Sequence, residues 1–294
     1  MNRLTVFTAP SADIVDRVRI LLKLSISSGY DSNSFNEEFF EDYFQVRFDG
    51  LDNRDIHAKL RGLLHPLKTD FIIQEPQLPL KLFCFDMDST TLTIETMDEF
   101  AGAELGDEIK QEIERITLLG MEGELDYVES FTKRHSLLKG LETSRLEAFY
   151  QSNIKDKRFS HGIKHLLQHI KSIGGTSVLL SGGFIQFASL VGRDLGFDHV
   201  FASEPEVVNG RFTGFIETDL IFTAAKKRAN LLKLQQKIGL DKSQVFACGD
   251  GSNDLEMFAA AGLAIAYRAK NIVKQKTSNW LEFGSFDLIT KITN

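Results

Sequence analysis

The stretch Phe83-Cys84-Phe85-Asp86-Met87-Asp88-Ser89-Thr90 decides the fold, because an apolar run ends there in two carboxylates two positions apart. A short run of Leu, Phe and Cys bounded by polar residues reads as a fully buried strand, and an open parallel sheet binds its ligands outside the carboxyl ends of such strands. Asp86 then closes the strand and Asp88 lies on the loop that follows. From there both groups can reach one cation and one phosphoryl group, one attacking while the other handles protons.

A second apolar run, Val245-Phe246-Ala247-Cys248, ends in Gly249-Asp250-Gly251-Ser252-Asn253-Asp254. Two strands thus deliver carboxylates, and one shared destination accounts for both. A calcium loop of the EF-hand type does not fit either stretch. It needs Gly at its sixth position and Glu at its twelfth, where a loop opening at Asp86 has Thr91 and Met97 and one opening at Asp250 has Leu255 and Ala261.

The 294 residues suffice for one large domain or two to three smaller ones. Hydrophobic content of 43%, charged content of 26% and a net charge of -7 are ordinary for a soluble protein and give no basic footprint for nucleic acid or an anionic membrane. A small-molecule partner is expected. The N-terminal residues Pro10, Asp13 and Asp16 interrupt any apolar signal core, and no stretch approaches a membrane span, so the expected location is the cytoplasm. Cys84 and Cys248, the two cysteines, each precede a key aspartate by two residues and are expected on the same side of their strands, as buried reduced thiols.

Residues 1–78 read as a small separate domain, with Pro76 and Pro79 as a linker. Leu4 to Phe7, a helix with Ile14, Val15, Val18, Leu21 and Leu22, a strand within residues 33–40, the alternating Phe44, Val46 and Phe48, a helix with Ile56, Leu60, Leu63 and Leu64, and a closing strand at Phe71 to Ile73 give βαββαβ, the ferredoxin-like order. Residues 79–294 form the larger domain. From Thr96 to about Phe159 there is no proline and the composition favours helix, which predicts a helical insertion lying over the carboxylates as a cap. Strand and helix then alternate: a helix with Ile163, Leu166, Leu167 and Ile170, a strand at Ser177 to Leu180, a turn at Ser181-Gly182-Gly183-Phe184, a hairpin at Asn209-Gly210, a helix with Leu231 and Leu234, and a strand at Leu263 to Ala266. The class is α/β, a doubly wound, mainly parallel sheet. His161, His165 and His169 lie four apart opposite the apolar face and are expected to be solvated, since no acidic or cysteine partner stands beside them in the sequence.

Four of these elements together resemble the haloacid dehalogenase superfamily of phosphohydrolases, and within it the phosphoserine phosphatase family. Asp86-Met87-Asp88-Ser89-Thr90 with Glu95 nine residues after Asp86 matches its first motif, Ser181-Gly182-Gly183-Phe184 its serine motif, Lys227 its lysine, and Asp250 to Asp254 its GDGxND segment. The resemblance covers about residue 80 to the C-terminus. It implies a HAD-like sheet with a helical cap, hydrolysis of phosphoserine through an aspartyl phosphate, and Mg²⁺ held by Asp86, the Asp88 backbone carbonyl and Asp250, with Asp254 in support. It further implies Asp86 as nucleophile, Asp88 as acid and base, and Ser181, Gly182, Lys227 and Asn253 around the substrate phosphate. Lys227 is preferred to Lys226 because the family's lysine precedes the Asp of GDGxND by 23 residues, and 250 minus 23 is 227.

The segment Gly120 to Tyr127, followed by Lys133-Arg134-His135-Ser136-Leu137-Leu138, resembles the family's cap and places a carboxylate-binding arginine at Arg134, with Glu95 taking the substrate ammonium. Longer relatives carry small ferredoxin-like domains resembling ACT modules. Here the loop Thr8-Ala9-Pro10-Ser11-Ala12-Asp13 lacks the glycine of their effector sites, which leaves dimerisation or stabilisation as the expected role. Two other functions fit the same residues: a phosphotransferase passing the phosphate to another hydroxyl, and an idle amino-acid-binding regulator.

Overall fold

The computed structural model describes residues 2–25, 35–48, 54–75, 78–122 and 124–293. The chain opens with β1 (Asn2–Val6), α1 (Ala12–Ser25), β2 (Asn36–Phe39), β3 (Phe44–Phe48), α2 (Arg54–Leu64) and β4 (Phe71–Gln74). These strands lie in the order β2-β3-β1-β4, every neighbouring pair antiparallel. That is the order a split βαβ pair requires. Leu4, Val6, Phe44, Val46, Phe48, Phe71 and Ile73 face Ile14, Val18, Leu22, Ile56 and Leu60 of the two helices in one apolar core.

β5 (Leu82–Phe85) begins the larger sheet, and four helices intervene before its next strand: α3 (Thr96–Leu105), α4 (Asp107–Glu122), α5 (Tyr127–Ser136) and α6 (Thr143–Phe149). Then come α7 (Ile163–Ser172), β6 (Thr176–Phe184), α8 (Ile185–Leu195), β7 (His199–Ser203) and the hairpin of β8 (Val207–Val208) and β9 (Arg211–Phe212), where Asn209 and Gly210 both take positive φ. The chain closes with α9 (Ala224–Ile238), β10 (Val245–Gly249), α10 (Leu255–Ala260), β11 (Leu263–Tyr267), α11 (Asn271–Lys274), β12 (Trp280–Leu281) and α12 (Asp287–Thr290). β12, β11, β10, β5, β6 and β7 pair in parallel in that order. From β5 the chain moves to β6 on one side, and β10 returns on the other. The crevice above β5 and β10 is therefore the topological switch point of the sheet, where such folds bind ligands.

Period-two alternation divides the sheet's two faces. Phe83 and Phe85 pack with Phe246 on the side covered by α7, α8 and the helical insertion, while Leu82 and Cys84 pack with Val245, Ala247, Leu231 and Leu234 on the other. The cysteines are placed differently from the sequence expectation. Cys84 lies opposite Ala247 and Cys248 opposite Phe85, so the two buried thiols face opposite sides of the sheet. Equal spacing to an aspartate does not fix side-chain direction when the paired strands are offset by one residue. β6 also runs further than expected. It continues through Ser181, Gly182 and Gly183 to Phe184, with a shift of register against β7 between Leu180 and Phe184.

The first four strands do not stand apart from this sheet. β4 pairs antiparallel with β12 through Phe71 and Trp280, giving ten strands in one continuous sheet. Asn279 bridges the seam: its side chain accepts from Ile73 N at 2.9 Å and donates to Ile73 O at 2.8 Å. The Arg61 guanidinium lies between the rings of Phe71 at 4.2 Å and Trp280 at 4.4 Å. Of the two prolines read as a linker, Pro76 is outside the described residues.

Asp70 holds this seam most directly, because its buried carboxylate accepts from the backbone amides of Glu282 at 2.9 Å, Phe283 at 2.9 Å and Gly284 at 2.8 Å. Replacing Asp70 by Ala strands three donors at once and should lower unfolding free energy by about 2–4 kcal/mol. Chemical denaturation reads this, and an unchanged midpoint would show that the seam carries no stability.

Candidate active site

Asp86 follows β5 directly, and its amide donates to Cys248 O at 2.9 Å, which fixes it between the ends of β5 and β10. The next five residues form a tight loop held by hydroxyls, one of its own and one from Ser160. Thr91 Oγ1 donates to Asp86 O at 2.6 Å, Ser160 Oγ donates to Thr90 O at 2.5 Å, and Ser89 takes a positive φ of 53°. Asp88 Oδ1 accepts from Thr96 N at 2.9 Å, so Asp88 caps α3 while its other oxygen lies 3.0 Å from where a Cβ on Gly183 would stand. Ser89 Oγ donates to Glu95 Oε1 at 2.7 Å.

Lys227, fully buried on α9, reaches across to Asp86 Oδ1 at 2.5 Å and Asp254 Oδ1 at 2.7 Å. Its neighbour Lys226 turns outward and donates to Asp219 O. Burial works against the Lys227 charge, but Asp254 and Asp86 outweigh it and hold the ammonium above the ordinary lysine range. One cation does not balance the carboxylates gathered here. Oxygens of Asp86, Asp250 and Asp254 lie within 4.8 Å of one another. Burial and the Asp254 charge push Asp86 well above the usual carboxylate range against the pull of Lys227, and push Asp250 up to about 7 against the pull of Lys270.

This imbalance is what a divalent cation relieves. The donors are hard carboxylate oxygens, as Mg²⁺ or Ca²⁺ prefers, and among the described residues no thiolate or imidazole joins the group. Asp254 has both oxygens engaged, one on Lys227 and the other on Gly251 N at 3.1 Å. Asp86 keeps Oδ2 clear of Lys227, and Asp250 meets Thr90 Oγ1 at 3.4 Å and Lys270 Nζ at 3.9 Å, both loose. A metal would therefore be held by Asp86 and Asp250, with Asp254 bracing Lys227 and the Gly251 turn.

Above the carboxylates opens a cavity of about 790 Å³, lined by Asp86, Asp88, Asp250 and Asn253 below and by Glu95, Asp98, Tyr127, Ser130, Phe131 and Arg134 from the helical insertion. A second void of similar size, between Ile73–Glu75 and Asp241–Ser243, lies at the opposite ends of the strands and holds none of these groups. Gly182 and Gly183 line the catalytic-side cavity, whereas the Ser181 hydroxyl is buried behind them and accepts from Gly183 N at 2.9 Å. Burial, then the Glu95 charge, raises Asp88 to about 7.

The model of the haloacid dehalogenase-like hydrolases matches residues 83–259, more than half of the chain and every one of these carboxylates. The chain belongs to the haloacid dehalogenase-like hydrolase family. A phosphoserine phosphatase of Archaeoglobus fulgidus is 36% identical over 235 residues, 79% of this chain and 66% of that protein, so the chain spans about two thirds of its relative. A HAD family hydrolase from Salmonella enterica serovar Typhi has a solved structure that matches 98% of this chain and 96% of its own, with a TM-score of 0.84 at 28% identity. A structure described as the phospho-aspartyl intermediate analogue of phosphoserine phosphatase matches 73% of this chain and 99% of its own, with a TM-score of 0.64 at 32% identity. The protein is a phosphatase of this family.

Sequence reading passed over several groups that this family member brings to its site. Asp98 follows Glu95 by three residues on α3 and faces the same cavity; burial raises it to about 6 while Arg134 pulls it down. The i, i+3 spacing from Glu95 was the available signal. Ser203 Oγ donates to Gly182 O at 3.0 Å and accepts from Phe222 N at 2.9 Å, locking the glycine backbone from a distant strand with no local signal. His161 and His165 are exposed, as expected of a solvated face, and His169 is half-buried, but an acidic partner does stand beside them. His165 Nδ1 meets Asp287 Oδ1 at 2.7 Å, His161 lies 3.5 Å from the same carboxylate, and His169 pairs with Thr293 Oγ1 at 2.8 Å. Their acidic partner sits far along the chain on α12, which the local pattern could not show.

Lys227→Met leaves buried carboxylates facing one another without their ammonium. It should cost about 3–5 kcal/mol of stability, as breaking a buried pair does. Denaturation of the variant beside native protein measures it, and an unperturbed midpoint would show that the Lys227 contacts carry no stability.

Proposed function

We propose that the protein hydrolyses O-phospho-L-serine to L-serine and phosphate in the cytoplasm, using Mg²⁺ and an aspartyl phosphate on Asp86. The observation that carries this reading is the single cavity that joins the Asp86, Asp88 and Asp250 carboxyls to Glu95 and Arg134. One end suits a phosphate beside a metal, and the other suits the two charges of an amino acid. The similarity to phosphoserine phosphatases points the same way.

A phosphate monoester is a dianion, so a carboxylate can approach it only where positive charge and fixed donors offset the repulsion. Bound Mg²⁺ would supply that charge to Asp86, Asp250 and the phosphate oxygens. Lys227 holds Oδ1 of Asp86, which orients the other oxygen as the attacking atom. Attack on phosphorus forms the Asp86 O–P bond and breaks the bond to the serine oxygen, which takes a proton from Asp88. A carboxyl raised to about 7 can carry that proton near neutrality. Asp88 then takes a proton from water as the water oxygen bonds to phosphorus, and phosphate leaves with Asp86 restored. Gly182 lets backbone approach the phosphate, backed by Ser181, with Asn253 nearby. Arg134 grips the substrate carboxylate, and Glu95 takes its ammonium.

Phosphate release from phosphoserine with Mg²⁺, and its loss on adding EDTA, tests the reaction. Turnover that requires an added acceptor alcohol would make the protein a phosphotransferase instead. Asp86→Asn should abolish turnover with the fold intact, and beryllofluoride should attach to native protein at Asp86; covalent phosphate on another residue would contradict the mechanism. Arg134→Ala should lose about 2–4 kcal/mol in kcat/KM on phosphoserine and little on a monoester without the amino acid head. Equal loss on both would place Arg134 in support of the cap.

A further inference from the structure

Helix α5 lays one stripe along the cavity. Tyr127, Ser130, Phe131 and Arg134 all line it, and their spacing of three, four and seven residues is that of one helical face. Arg134 ends this stripe at the amino acid head. Tyr127 begins it, about 10 Å away along the axis at 1.5 Å per residue. The first turn is fixed in place: Asp126 Oδ1 accepts from Glu129 N at 2.8 Å, and Asp126 N donates to Glu129 Oε2 at 3.1 Å, a reciprocal cap directly before Tyr127. The Tyr127 ring stacks on Phe131 one turn later, with centroids 6.3 Å apart.

The phenol hydroxyl reaches from the helical insertion to the core. A Cβ added to Gly182 would lie 2.4 Å from that hydroxyl, 3.6 Å from the ring carbon bearing it, and 3.8 Å from Asn253 Nδ2. Tyr127 Oη thus stands over the glycine backbone and beside Asn253, at the end of the cavity that holds Asp86 and Asp88. Among the described residues the hydroxyl makes no hydrogen bond, although a tyrosine hydroxyl in such a setting usually finds one. A donor placed over the Gly182 backbone in the cavity that Asp86 lines, and without a partner among the described residues, is suited to an anionic oxygen of the ligand.

We propose that the Tyr127 hydroxyl donates a hydrogen bond to an oxygen of the phosphoryl group during transfer, completing from the insertion side the cradle that Gly182 and Asn253 form from the core. This rests on phosphoryl transfer to Asp86. It makes the insertion part of transition-state binding: the contact exists only when α5 lies over Gly182, so closure and phosphoryl stabilisation become one event.

Tyr127→Phe keeps the ring and removes the donor. It should lower kcat/KM by about 10- to 100-fold, the range for one lost donor at a developing charge. The loss should be similar on phosphoserine and on p-nitrophenyl phosphate, and should weaken beryllofluoride binding in parallel. Activity within twofold of native protein on both substrates would overturn the proposal, as would a loss confined to phosphoserine, which would place the hydroxyl at the amino acid end. Native protein with no phosphoserine hydrolysis would sink the underlying reaction instead. A second pair guards against a folding defect: Gly182→Ala collides with the hydroxyl, so Gly182→Ala/Tyr127→Phe should be more active than Gly182→Ala alone. No relief in the double variant would show that the hydroxyl does not occupy this place.

Discussion

Lys227 brings one positive charge into a fully buried site among three carboxylates, and much of the architecture follows from the need to keep those four groups together. Gathering like charges out of water is unfavourable by several kcal/mol per ion unless opposite charge and hydrogen bonds accompany them. A parallel sheet solves the placement. β5 and β10 lie side by side, so Asp86 and Asp250 leave adjacent strand ends, while α9 on one face carries Lys227 to Asp86. Asp254 then closes the circuit by accepting from Lys227 and from Gly251 N together.

The remaining negative charge is what the proposed metal would meet. A site that fully neutralised itself would leave a metal and a dianionic substrate little to bind. Here the Lys227 contact occupies one oxygen of Asp86 and leaves the other for chemistry. Asp88 stands on the far side of its loop, capping α3 through Thr96 N, and so shares neither Lys227 nor the Asp254 contact. Two aspartates two positions apart thereby sit in different surroundings, which suits one to attack and the other to carry a proton.

What the sequence made legible was local. The run ending at Asp86, the run ending before Asp250, the Asn209-Gly210 turn and the apolar faces of α1, α7 and α9 each follow from a short window of residues. The order β2-β3-β1-β4 also matches the ferredoxin-like pattern read from residue periodicity. Groups that meet through register or long loops were not legible. The opposite facing of Cys84 and Cys248 depends on which residue of β10 lies beside Cys84, a choice made by the whole sheet. Asp287 reaches His165 from 122 positions away, and Ser203 reaches Gly182 from 21. Lys270 escaped notice because its importance comes from the turn after β11, which returns its amide to Asp250 O at 3.1 Å.

That turn also explains why the first four strands matter to a site they do not enter. Asp250 O accepts from Lys270 N; two residues earlier, Arg268 N donates to Leu281 O at 2.7 Å. Immediately beyond Leu281 lie the three amides gathered by Asp70, and immediately before Trp280 lies Asn279, bound to both backbone groups of Ile73. The segment from Arg268 to Gly284 is thus fastened at one end to the carboxylate loop and at the other to β4. Its strand, β12, is only two residues long and pairs with β11 through Ala266 and Tyr267 alone, too short to hold a register unaided. Asp70, Asn279 and the Arg61 guanidinium between Phe71 and Trp280 supply what the short ladder lacks. The contribution is positional: β4 gives the edge of the catalytic sheet a fixed neighbour, and the loop carrying Asp250 inherits that fixity through Lys270.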